Sequence, residues 1–225
     1  MFTLQLDPDL TETIPGLRLG GLLFTDVRSG PSPQELLSQM EEAARQAARE
    51  IRLEEVASLP GPAGWRRVLR RLGTDPTRYR VSSERLLRRV IKGDKLPEIN
   101  VLADLCNLWS LKSTLPAGLY DADRLAGSVL TLGVGRSGEA YYTLAHSEMQ
   151  TEGKVVLRDA EGPCGSPITD SMRTGTDEST RRCLLVIYAP PGYPRDELER
   201  HMDVAADWYT RYAGGHLQQR LIVEG

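Results

Sequence analysis

Phenylalanine, cysteine and histidine are scarce in this chain, and each scarcity removes a class of explanation. Only two of 225 residues are Phe, so a core has to be assembled from Leu, Val, Ile, Ala, Tyr and Trp. The three cysteines, Cys106, Cys164 and Cys183, are odd in number and widely spaced, which argues for reduced thiols and against a disulfide framework. His146, His201 and His216 lie far apart, and no Cys or His pair has ligand spacing, so no metal is expected. No stretch approaches the roughly 20 apolar residues of a membrane span. The start, M-F-T-L-Q-L-D-P-D-L, has neither a basic head nor an apolar run, so neither a secretory signal nor a membrane partner is expected, and a cytoplasmic setting is. Internal repeats, low-complexity tracts and the G-x-S-x-G elbow of a nucleophilic serine are all missing.

Charge of one sign is not in excess either. The net charge of −3 argues against a general nucleic-acid binder, but its distribution is uneven. Residues 1–60 carry ten acidic and five basic side chains, whereas residues 66–95 carry eleven basic and three acidic ones. Within that stripe Arg66, Arg67, Arg70, Arg71, Arg88 and Arg89 are candidates for holding an RNA backbone. A solvated helical face has the same appearance, and composition alone leaves both readings open.

What is present is a change of period along the chain. L-R-L-G-G-L-L-F-T-D-V reads as a buried strand, and a helix opens at Ser32 or Pro33 and runs to about Leu53, with Leu36, Met40, Ala44 and Ala47 on one face. L-P-G-P-A-G at 59–64 reads as a break. A short basic helix follows from Trp65 to Leu72, then a second one capped by Ser82 or Ser83 and ended by Gly93. An apolar helix spans about Asn100 to Leu111, and Pro116 and Gly118 predict a loop after it. From Ser128 the period becomes two, and R-R-C-L-L-V-I-Y-A-P is a continuous apolar strand of central type. Arg195 to Tyr212 is a last helix, and residues 215–225 read as a tail. The expected architecture is a single α+β domain over residues 1–214, with a mainly antiparallel sheet and packed helices. Its parts are N-terminal elements (1–63), a middle segment (64–190) and the C-terminal helix (191–214).

Gly133-x-Gly135-x-x-Gly138 matches the dinucleotide fingerprint by letter, but the following E-A-Y-Y-T-L alternates like a strand where a helix is required, so a glycine-rich hairpin is expected. Two other runs carry more. In one, Asn107, Ser110 and Lys112 sit in an otherwise apolar helix. In the other, G-P-C-G-S-P-I-T-D-S-M-R-T-G, small residues and hydroxyls crowd one carboxylate and one arginine. Polar groups beside a core must be hydrogen-bonded, so these either stitch the fold or line a pocket. A Ser/Thr-rich turn satisfying its own backbone accounts for the second run as well as a ligand does.

Together the segments N-V-L-A-D-L-C-N-L-W-S-L-K, L-P-A-G-L-Y-D-A-D-R-L-A-G, V-V-L-R-D-A-E-G-P, S-P-I-T-D-S and T-D-E-S-T ahead of R-C-L-L-V-I-Y-A resemble the editing, or aminoacyl-tRNA-binding, module of the phenylalanyl-tRNA synthetase β subunit, here as a free-standing chain. The resemblance implies the α+β fold of that module, hydrolysis of an amino acid wrongly attached to tRNA, no metal or organic cofactor, and no ligase activity. It implies the acceptor end of tRNA, with its aminoacyl group, as partner. On this pattern Asn107, Ser166 and Asp170 stand where catalysis would occur. Cys106, Ser110, Gly118, Tyr120, Gly165, Pro167, Thr169, Ser171 and Val186 would line the pocket, and Lys112 and Arg173 would meet terminal phosphates. Bacterial synthetases carry His at the place of Gly118, Glu at the place of Val186 and Thr at the place of Cys106. A glycine at the first of these resembles archaeal-type and free-standing members. A non-catalytic tRNA- or RNA-binding module, or a small-molecule hydrolase or amino-acid-binding relative, are the alternatives.

Overall fold

A strand such as C-L-L-V-I-Y-A has no polar side to offer to water, so it must be covered on both faces. The computed structural model, which describes residues 1–225, builds the molecule around that requirement. In chain order the elements are β1 (Thr3–Leu6), α1 (Pro8–Thr13), β2 (Arg18–Thr25), α2 (Gln34–Glu50), α3 (Pro60–Arg71), α4 (Ser82–Ile91), α5 (Val101–Ser113), β3 (Ala117–Asp121), β4 (Val129–Val134), β5 (Ala140–Tyr142), β6 (Glu148–Gln150), β7 (Val155–Asp159), β8 (Gly162–Gly165), β9 (Cys183–Ala189), α6 (Arg195–Ala213) and β10 (His216–Glu224). The central sheet runs β10-β2-β9-β3 and is antiparallel throughout. A second sheet runs β1-β4-β7-β8, in which only β1 and β4 are parallel, and β5 and β6 form a separate ribbon.

Alternation along β9 assigns the layers. Cys183, Leu185, Ile187 and Ala189 pack into one core with Leu102, Leu105 and Trp109 of α5, Met40 of α2, Leu87 of α4 and Met202 of α6. Leu184, Val186 and Tyr188 pack into the other, with Leu130 and Leu132 of β4, Val156 of β7 and Trp65 of α3. The order is therefore helices, central sheet, outer sheet. The fold is α+β and mainly antiparallel, as the sequence predicts, and β9 occupies an inner position.

Five local expectations are corrected. Residues 215–225 are not a tail, because β10 pairs with β2 from His216–Thr25 to Glu224–Arg18. Leu59 to Gly64 is not a break, because Pro60 lies in the first turn of α3, where its missing N–H costs nothing. Pro116 lies in the short connection between α5 and β3, but Gly118 is not part of a loop, because it lies within β3, paired with Val186. Neither Ser82 nor Ser83 caps α4, whose N-cap is Val81; the Ser82 N–H instead donates to the Pro167 carbonyl at 2.9 Å. Gly133 lies within β4, and Gly135 and Gly138 lie between β4 and β5, strands of different sheets, so the glycines make a turn but not a hairpin.

The basic stripe folds around one carboxylate. Glu84, 1% exposed, accepts from Arg66 Nη2 at 2.6 Å and Arg88 Nε at 2.8 Å, and lies 3.7 Å from Arg80 Nε. Burial pushes its carboxyl up, but the bonds from Arg66 and Arg88 outweigh that and hold it below the usual range. Arg66 joins α3 to α4 through this contact. Replacing Glu84 with Ala leaves the clustered guanidinium groups without their counter-charge, and a loss of about 3–5 kcal/mol in unfolding free energy is expected from urea titration.

Candidate functional site

β3 is the edge strand of the central sheet, so the N–H groups on its outer side need acceptors from elsewhere. The segment after β8 supplies them. Asp170 Oδ2 accepts from the Leu119 N–H at 3.1 Å, and the Thr174 carbonyl accepts from the Asp121 N–H at 2.8 Å. Residues 166–174 thus run from the outer sheet to the free edge of the inner one.

Asp170 is the centre of the arrangement. The Tyr120 hydroxyl donates to Oδ1 at 2.9 Å and, having given its proton there, accepts from the Tyr188 hydroxyl at 2.7 Å. A Cβ on Gly118 or on Gly165 would run into the Tyr120 hydroxyl and lie 2.7 Å from Asp170 Oδ1. Glycine at both positions is therefore what lets this hydrogen bond sit between the two sheets. Burial pushes the Asp170 carboxyl up to about 7, against the lowering effect of the Leu119 N–H, the Tyr120 hydroxyl and Arg85. The Cys106 thiol, raised to about 12 by burial and by the Asp170 charge, marks the approach of α5 to the same point.

The Ser166 side chain is tied into its own turn. Its hydroxyl donates to the Thr169 carbonyl at 3.0 Å and accepts from the Ile168 and Thr169 N–H groups at 3.2 and 3.1 Å. Tyr141 Oη closes the group, 3.0 Å from Ser166 Oγ and donating to the Thr169 carbonyl at 2.7 Å. The bonding capacity of the Ser166 hydroxyl is thus committed to the turn. Ser171 acts similarly, its Oγ accepting from the Arg173 N–H at 3.2 Å. From the helical layer, α4 holds the loop through Ser82 N–H to Pro167 and through Arg85 Nη2 to the Ile168 carbonyl at 2.6 Å.

The structure thus brings together Cys106, Gly118, Tyr120, Gly165, Ser166, Pro167, Thr169, Asp170 and Ser171. Asn107, half-buried, follows Cys106 on α5, and the buried Ser110 lies one turn beyond Cys106 on the same helix. Val186 faces Gly118 directly across the β3–β9 pair. Three residues that sequence reasoning missed, Tyr188, Tyr141 and Arg85, complete the site; Tyr188 follows Val186 by two in a strand and so shares its face. Other predicted phosphate ligands are placed elsewhere. Lys112 lies over the Trp208 ring, 5.7 Å from its centroid, and lines a cleft with Gln46 and Glu50 on the helical side. Arg173 is held by Asp159 through two bonds of 2.9 and 2.8 Å. Arg66 and Arg88 bind Glu84, and Arg89 donates to the Lys95 carbonyl at 2.6 Å. Arg67, Arg70 and Arg71 are exposed on α3. Beside the loop, Tyr142, Leu144 and Met172 are 62%, 52% and 40% exposed and are tied to it by Leu144 N–H to the Asp170 carbonyl and Met172 N–H to the Tyr142 carbonyl. No group of three or more His, Cys, Asp or Glu side chains is arranged to hold a metal ion, and no helix is long and apolar enough to cross a membrane.

Two outcomes follow from this geometry. The folded chain holds the Asp170 proton more tightly than the unfolded chain, so the stability it confers is complete below the ordinary value of 3.8, declines as pH rises and is gone above about 7. Thermal melts across that window should show a steeper decline for the native chain than for Asp170→Asn; parallel profiles would contradict the assignment. Gly118→Ala should lower the unfolding free energy by about 1–3 kcal/mol through overpacking against Tyr120 and Asp170, measured by urea titration.

Comparison with known proteins adds the following. The family described as B3/4 domain matches residues 64–214. The fold is similar to that of an N-terminal fragment of the phenylalanyl-tRNA synthetase β-subunit from Pyrococcus horikoshii, with a TM-score of 0.50 and 14% sequence identity. That likeness covers 100% of this chain and 55% of the fragment, so this chain spans about half of the fragment's length. No curated protein sequence matches the chain.

Proposed function

Because the chain belongs to the B3/4 domain family, we propose that it binds aminoacyl-tRNA and hydrolyses the ester of a mischarged tRNA in trans. The observation that carries this reading is Asp170: a desolvated carboxyl with a value of about 7, at the meeting point of α5, the free edge of β3 and the 166–174 loop. The ester bond is already activated, since its leaving group is a ribose hydroxyl, and what an editing site must add is position, a held water and stabilisation of the developing oxyanion. A carboxyl that titrates near neutrality is suited to accept a proton from that water, or to hold the α-ammonium group of the amino acid. In this reading Asn107, whose amide makes no hydrogen bond within the fold, orients the aminoacyl group or the water. Ser166 and Tyr141 keep the loop rigid, and Tyr120 and Tyr188 keep the carboxyl aimed. Exposed Tyr142, with Leu144 and Met172, offers a surface on which a terminal base can stack. The exposed Arg67, Arg70 and Arg71 supply salt-sensitive attraction for the RNA backbone.

A second reading, a tRNA-binding module without hydrolysis, is favoured by one pair of positions. Gly118 and Val186, which face each other across β3 and β9, stand where the synthetases resembled by this chain carry His and Glu, and neither can move a proton.

The test is release of amino acid from a panel of charged tRNAs, including tyrosine on phenylalanine tRNA, other mispaired species and D-aminoacyl-tRNAs. Release of one amino acid, reduced at least about tenfold by Asn107→Ala and by Asp170→Asn, is the expected result. Salt-sensitive tRNA binding with no release from any substrate would replace it with the binding-module reading.

A further inference from the structure

The folded stripe leaves an excess of positive charge on one side of α4. Arg80, Arg85, Arg88, Arg89 and Lys92 line a cleft of about 340 Å³, with Asp94 as the one acidic lining residue. Beneath it, Glu84 is the single carboxylate shared by Arg66, Arg80 and Arg88. Arg85 and Arg89 are held by neutral carbonyls, those of Ile168 and Lys95, each at 2.6 Å. A carbonyl orients a guanidinium and satisfies one of its N–H groups, but it does not neutralise the charge, and it leaves the other donors of the fork free. The buried Nε of Arg80 makes no hydrogen bond, and its ion-pair partner is the same Glu84, 3.7 Å away. Lys92, at the end of α4, is exposed and forms no ion pair within the chain. Like charges gathered in this way repel one another unless an anion joins them, and planar forks held in place are the donors that phosphate oxygens take best.

We propose that this cleft is a binding site for a phosphate group, presented by an RNA strand whose end lies at the Asp170 loop. Arg85 connects the two places, since the same side chain lines the cleft and holds the carbonyl of Ile168, which precedes Thr169 and Asp170 directly in the chain. The Ser82 N–H to Pro167 contact fixes the start of α4 to the same loop. A phosphate seated on α4 would therefore be carried by the element that positions the candidate site. The choice of RNA as the source of the phosphate rests on the function proposed above, whereas the oxyanion seat does not.

The test uses the full chain and inorganic pyrophosphate as probe, followed by calorimetry, with short single-stranded RNAs ending in a 5′-phosphate or a 5′-hydroxyl as further ligands. Arg85→Gln/Lys92→Gln is compared with Arg195→Gln/Arg200→Gln, which removes the same charge from the exposed face of α6. Lys92→Gln alone, at an exposed position without an internal partner, serves if the double variant does not fold. The expected result is saturable, salt-sensitive pyrophosphate binding that weakens at least about tenfold in the cleft variant and is unchanged in the α6 variant. RNA binding should weaken in parallel, and a preference for the 5′-phosphate would identify a terminal phosphate against an internal one. Pyrophosphate binding that is absent, or equal in all variants, overturns the site. Pyrophosphate binding that depends on the cleft, with RNA binding that does not, overturns RNA as the source and leaves a small phosphate compound. Deacylation of charged tRNA with an unaltered KM in the cleft variant overturns the inference while the proposed function stands. Cleft-dependent binding of pyrophosphate and RNA without deacylation supports the inference while that function fails.

Discussion

Backbone N–H groups on the outer side of a covered edge strand must find acceptors, and on β3 they find them in one loop. Leu119 donates to the Asp170 side chain and Asp121 to the Thr174 main chain. Everything distinctive about the candidate site depends on that solution. Using a carboxylate as an edge acceptor draws it out of water, which raises its proton affinity. Holding it there requires a hydroxyl donor, which Tyr120 supplies with the Tyr188 hydroxyl bonded behind it, and space between two sheets, which Gly118 and Gly165 supply. The loop itself then needs support from both sides. Tyr141 and Ser166 give it internal stiffness, and the start of α4 braces it from the helical layer.

The same economy governs the charges. A run of arginines along a sequence suggests a uniform surface, but in three dimensions it divides into different roles. Arg66 and Arg88 close on the buried Glu84, and Arg66 thereby fastens α3 to α4. Arg85 reaches the loop. Arg67, Arg70 and Arg71 remain in solvent. Sequence position alone cannot separate these, because the deciding partner, Glu84, is itself inside the stripe and gives no outward sign that it is buried.

The framework was legible where burial imposes a local pattern. The double-faced strand β9, the buried strand β2 and the one-sided helices α2 and α6 all announce themselves by period, because one layer contact per face fixes which residues must be apolar. Legibility ended where a partner distant in sequence decides. H-L-Q-Q-R-L-I-V-E looks like a polar terminus until β2 offers it an edge, and P-G-P-A-G looks like a break until Thr114 and Pro190 pack so closely on Gly61 and Gly64 that no Cβ would fit. The site shows the same division. Asp170 and its small neighbours stand out in the sequence as a polar cluster beside apolar strands. The committed hydroxyl of Ser166, the bracing arginine and the second tyrosine follow from cross-strand and cross-layer contacts that no local spacing encodes.

The packing around Gly118 also couples this position to its neighbours. The volume that a side chain there would occupy is already filled by the Tyr120 hydroxyl and the Asp170 carboxylate, and its cross-strand neighbour is Val186. A side chain at 118 and the Tyr120–Asp170 hydrogen bond therefore compete for one volume, so the residues at 118, 120 and 170 form a coupled set whose substitutions do not add: shortening Tyr120 or Asp170 opens the space that a larger residue at 118 needs.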